Sequence, residues 1–114
     1  MSFENKLIGH IRGVGPEITG SFNLKGNTLI ARIQLAAPIE DPIYGQNAIL
    51  GYNDLNDLNG EFKIELGSVI GPKKIRLLLK SGESDAKAEI VSMIEPSLPS
   101  PLKEDGTVTF ILPE

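Results

Sequence analysis

The stretch of this chain best equipped for chemistry is Asn53-Asp54-Leu55-Asn56-Asp57-Leu58-Asn59-Gly60-Glu61. Asp54, Asn56, Asp57, Asn59 and Glu61 put five oxygen-bearing side chains within eight residues, a density that suits a hard cation such as calcium. The spacing departs from that of an EF-hand loop. Counted from Asp54, the third oxygen position falls on Leu58 and the glycine position on Asn59; counted from Leu55, the twelfth position falls on Leu66. The simpler expectation is a polar turn whose Asn and Asp side chains bond their own backbone. Leu55 and Leu58, three apart, would then form one helical turn that plugs an end of the fold. No metal and no cofactor is expected.

Tyr44 and Tyr52 accompany the glycine-containing, asparagine-rich region Gly45 to Gly60, at loop or strand-end positions. A tyrosine in such a place offers apolar area with one polar tip, which serves contacts to sugars and to proteins. The competing expectation is a ring that covers an edge of the core. The expected binding residues are Tyr44, Tyr52, Asn53, Asp54, Asn56 and Asp57.

Other chemical signatures fail on inspection. Gly13-Val14-Gly15 begins a dinucleotide fingerprint, but Ile18 holds the third glycine position and a strand pattern follows instead of a helix. Gly15 and Gly20 have the spacing of a phosphate loop, yet Ser21 stands where the lysine should be. His10 is the only histidine, so a metal site with several imidazoles is impossible and any Ser–His–acid relay must pass through it. No G-x-S-x-G accompanies it, and an ordinary strand histidine is expected. The carboxylate pairs Glu40-Asp41, Asp54/Asp57 and Glu83/Asp85 lie in expected loops, where solvated charge is the default.

Composition narrows the classes further. The chain has no cysteine, which removes disulfides, thiolate metal sites and thiol catalysis together. Fifteen acidic against eleven basic side chains leave a net charge of −4. The one basic cluster, Lys73, Lys74, Arg76 and Lys80, is followed by Glu83 and Asp85, and only six aromatic residues are available for stacking. Nucleic acid is not an expected partner. No apolar run exceeds three residues, so no membrane span and no signal peptide are expected. A cytoplasmic location follows as the expectation, unless a leader was removed.

The elements that must position these residues are strands. Phe62, Ile64 and Leu66 alternate with Glu61, Lys63 and Glu65; Ile75, Leu77 and Leu79 alternate with Lys74, Arg76 and Lys80; Val108, Phe110 and Leu112 continue the pattern. Such a period of two buries one face and wets the other. Ile18 to Leu35 reads as a hairpin of strands at about 18–24 and 28–36, turning at Gly26 and Asn27, which tolerate positive φ. A strand at Leu7–Arg12 is expected to end at Gly13-Val14-Gly15-Pro16. Pro38 and Pro42 make 36–46 a loop or an irregular edge. Residues 85–94 satisfy both a strand and a capped helix; the strand is preferred because no other segment is plausibly helical. The prolines of 95–106 make an extended connector that crosses between sheets.

The chain is therefore expected to be one all-β domain over 1–114, an antiparallel β-sandwich of about seven or eight short strands. A small β-barrel is the alternative, or an α+β fold if 85–94 is helical. The expected function is a non-enzymatic binding module that presents loops or a sheet edge to a protein or glycan partner, with a homo-oligomer left open. A barrel or sandwich enclosing an apolar ligand is the second reading, and an enzyme ranks last.

Overall fold

A computed structural model describes residues 3–103 and 105–113. The regular elements are β1 (Asn5–Leu24), β2 (Asn27–Tyr52), β3 (Glu61–Ile64), β4 (Val69–Ile70), β5 (Lys74–Ser81), β6 (Lys87–Met93) and β7 (Gly106–Ile111), with a 3-10 turn at Leu55–Asp57. Among the described residues no helix is long and apolar enough to cross a membrane.

The hairpin between β1 and β2 turns where glycine allows it. Leu24 opposes Asn27, and the two residues between them, Lys25 (φ 52°) and Gly26 (φ 88°), both take positive φ. That pair of values gives the tight turn whose twist matches its flanking strands. The residue that shares the turn with Gly26 is thus Lys25, not Asn27, which already belongs to β2. The Asn23 carboxamide accepts a hydrogen bond from the Gly26 N–H at 2.9 Å.

Closure depends on β2. Its full length pairs with β1 along one edge. Its other edge is used twice: Ile30–Leu35 pair with β7, and Ile49–Tyr52 pair with β6. Between these partners β6 pairs with β5, β5 with β3, and β3 with β7, all antiparallel. The ring β2–β6–β5–β3–β7 returns to β2, so the strands form a closed five-stranded barrel, with β1 and β4 outside the ring. The sandwich expected first is therefore corrected to the barrel. Alternation along each strand is the same in both architectures, and only the pairing of β7 with β2 separates them.

One edge can serve two strands on opposite sides of a ring only if β2 turns a corner. The corner lies between Gln34 and Ile43, where the ladder to β1 thins to the single pair Ile39–Gly15. Pro38 and Pro42, which have no N–H to donate, sit in this sparse stretch at exposed positions. Residues 36–46 are thus the irregular edge of a continuous strand, not a loop. β1 follows the same corner, with register shifts between Gly9 and Ile11 and from Gly13 to Glu17. Gly13–Pro16 bend this strand and do not end it.

Within the segment 85–94 lies strand β6 (Lys87–Met93), hydrogen-bonded on both sides, which removes the helical alternative. The proline connector leaves β6 and runs along the corner of β2. Glu95 exchanges backbone hydrogen bonds with Tyr44 at 2.7 and 2.8 Å, the Leu98 N–H reaches the Pro72 carbonyl at 2.8 Å, and the Ala36 N–H reaches Asp105 at 3.0 Å. It spans the gap that the corner opens between β6 and β7, within one barrel instead of between two sheets.

The inward positions make one core. Phe22, Leu29, Ile33, Leu50, Phe62, Ile75, Leu77 and Val108 are all buried, and Phe62 meets Phe110 edge-to-face with centroids 5.3 Å apart. Leu66, expected on the buried face, is 87% exposed because β3 ends at Ile64 and the chain turns away.

Candidate functional site

The corner divides β1 into two limbs, 5–13 and 17–24. On the first, Ile8, His10, Arg12 and Val14 point outward in strict alternation. The register shifts at the corner change parity, so on the second limb Ile18, Gly20 and Phe22 are buried while Glu17, Thr19 and Ser21 stay on the outer face. The limbs touch at Gly9, where a side-chain carbon would overlap the Ser21 carbonyl oxygen and lie 2.7 Å from the Phe22 Cα. Only glycine permits that approach.

Between the limbs lies a furrow of about 630 Å³. The first limb contributes His10 and Arg12, the second Glu17, Thr19 and Ser21, and β2 adds Tyr44 and Gln46. Tyr44 is the cross-strand partner of Arg12, and the guanidinium carbon stands 6.0 Å from the centre of its ring. That is the outer limit of a cation–π contact. Tyr44 is held from both sides, by β1 and by Glu95, and its side chain is 47% exposed. Glu17 is tethered: one carboxylate oxygen accepts from Gln34 Nε2 at 2.9 Å, the other from Thr19 Oγ1 at 3.4 Å.

His10, Ser21 and Glu17 line the same furrow, which raises the relay that the lone histidine could serve. Among the described residues no hydrogen bond joins His10 to either partner, and Glu17 is engaged by Gln34 and Thr19. The geometry accordingly holds an imidazole, a guanidinium, a carboxamide, hydroxyls and one aromatic ring beside one another without an assembled nucleophile. It is equipped for hydrogen bonding and stacking. Among the described residues no group of three or more His, Asp or Glu side chains is placed to hold a metal ion.

Of the expected binding residues, Tyr44 alone lies in this furrow. Tyr52 is 6% exposed and faces the core, eight positions further along β2 and on its opposite face. The Asn53 carboxamide oxygen accepts from the Glu4 N–H at 3.1 Å, and its backbone carbonyl accepts from the Asn5 side chain at 2.8 Å. Asp54 caps the 3-10 turn by accepting from the Asn56 N–H at 3.0 Å. Asn56 is exposed and Asp57 half-buried in that turn. Leu58, 1% exposed, inserts into the core, so the plug expected from Leu55 and Leu58 is present.

Sequence reasoning missed Arg12, Glu17, Thr19, Ser21 and Gln46, and treated His10 as a bystander. The available signal was the break at Gly13–Pro16 with polar residues at outward positions on each side. A bent strand brings two parts of its own face together, which a straight strand ended by a loop does not.

No protein-family model, curated protein or solved structure matches the chain. The chemistry of the furrow therefore has to be taken from its own side chains.

Proposed function

We propose that this chain is a non-enzymatic binding module whose binding face is the furrow of β1, and that its partner is a glycan. The observation that carries the proposal is the convergence of Tyr44 and the outward polar side chains of both limbs on one concavity of about 630 Å³. That size falls in the range of roughly 300–1,000 Å³ typical of small-ligand sites. A protein partner would instead need about 800 Å² of surface with a desolvated aromatic anchor. A sugar presents hydroxyls that both donate and accept, together with apolar C–H faces. Arg12, Gln46, Glu17 and the hydroxyls of Thr19 and Ser21 supply the polar partners, and Tyr44 the ring. An apolar ligand inside the barrel finds less support, because packed side chains such as Phe62 and Phe110 occupy the interior.

Calorimetric titration with a panel of neutral and acidic oligosaccharides tests the proposal. Tyr44→Ala is expected to weaken binding by about tenfold or more, as truncation of an aromatic contact residue does. Its Tm should stay where it was, since the side chain is half exposed. Wild-type protein that binds no member of the panel, or a Tyr44→Ala variant that binds as tightly, would sink it.

A further inference from the structure

We infer that the glycan recognised by the furrow is acidic, and that Arg12, with His10 beside it, receives its carboxylate. This rests on the binding reading above and adds the charge class of the ligand. The hydrogen-bonding capacity of the furrow is uneven. On the second limb the Glu17 oxygens already accept from Gln34 and Thr19. On the first limb, among the described residues, Arg12 makes neither a hydrogen bond nor an ion pair, and its contact is the ring of Tyr44. His10 and Gln46 are likewise exposed and turned to the same space. What the furrow leaves open is donor capacity with a fixed positive charge.

A second arginine of the molecule sharpens the point. Arg76 also points outward from a barrel strand, and there the neighbouring strand supplies a counter-ion: its Nε lies 3.1 Å from Glu89 Oε2 across β5 and β6. Glu89 stands diagonal to Arg76, whose direct partner is Val91. Directly opposite Arg12 stands Tyr44, an aromatic platform, and the diagonal positions of β2 hold Pro42 and Gln46, neither of them an acid. A guanidinium near a ring and without an ion-pair partner among the described residues is matched by a planar carboxylate that takes two parallel N–H bonds. Glu17 then sets direction. Its charge repels a carboxylate, so the acidic end of the ligand lies on the Arg12 limb and neutral hydroxyls face Glu17, Thr19 and Ser21.

Titrations of the intact chain decide the matter, using oligosaccharides ended by uronic or sialic acid, the methyl esters of the same compounds, and poly-glutamate. The acid forms are expected to bind at least about tenfold tighter than their esters, the scale of one charge-assisted hydrogen-bonded pair. Arg12→Gln should abolish that difference, weakening the acid forms by at least about tenfold more than their esters, and Glu17→Gln should strengthen binding of the acid forms. Equal affinity for acid and ester, or a preference that survives Arg12→Gln, overturns the charge inference and leaves a neutral-glycan site standing. Poly-glutamate bound in preference to every oligosaccharide overturns the glycan class, and no saturable binding of any probe overturns both readings.

Discussion

In the loop between β2 and β3, Asn53 is tied to Glu4 and Asn5, Asp54 caps the turn, and Leu58 is sunk in the core. In the furrow on β1, Arg12, His10 and Gln46 are exposed side chains on two strands of one ladder, where Arg12 is the cross-strand partner of Tyr44. Both regions are rich in polar groups, and the loop has the denser cluster. The difference lies in what the local backbone requires. A turn has unpaired N–H and C=O groups, and nearby Asn and Asp side chains are the cheapest partners for them. A strand in a ladder has few such needs, so polar side chains on its outer face stay available to a ligand. Density of polar residues is for that reason a poor guide to a binding site, and polar residues on the outer face of a bent strand are a better one.

Three substitutions would break or sharpen this contrast. Leu58→Ala should be the most costly, losing about 2–5 kcal/mol as buried leucine truncations do. A denaturation midpoint within experimental error of the parent would show that the loop does not hold the barrel end. Next comes Gly9→Ala, which drives a methyl group into the Ser21 carbonyl at the junction of the limbs. Overpacking of that kind costs about 1–3 kcal/mol. It should also weaken ligand binding, because relief of the overlap spreads the limbs, and unchanged binding at reduced stability would separate the furrow from its hinge. Asp54→Ala should cost least, about 0.5–1 kcal/mol for the lost cap, with ligand affinity unmoved. A loss of affinity in that variant would return the loop to candidacy as part of the site.

Much of the wall of the barrel was legible because side-chain period is a local property. Ile75, Leu77 and Leu79 declare their face by alternation, and the structure buries all three. The turn at Gly26 was legible for a similar reason: few residues tolerate positive φ, and one of them stood between two alternating runs. The site was not legible to the same degree. Tyr44 was found through its residue type, yet the same reasoning also selected Tyr52, which the core absorbs. Whether a tyrosine at a strand end points in or out depends on a register that bulges at distant residues can shift by one.

By itself, then, the sequence determined an all-β chain, the inward faces of its strands, the β1–β2 hairpin and the Leu58 plug, each of which depends on neighbours a few residues apart. Only the tertiary structure decided that one edge of β2 would take both β6 and β7, that β2 and β1 would turn the same corner, and that this corner would gather His10, Arg12, Glu17 and Tyr44 around one furrow. The physical reason is that ladder pairing is made by backbone groups, which are alike in every residue except proline. Which edge meets which is settled by the closure of the whole ring, and no local pattern of side chains records it.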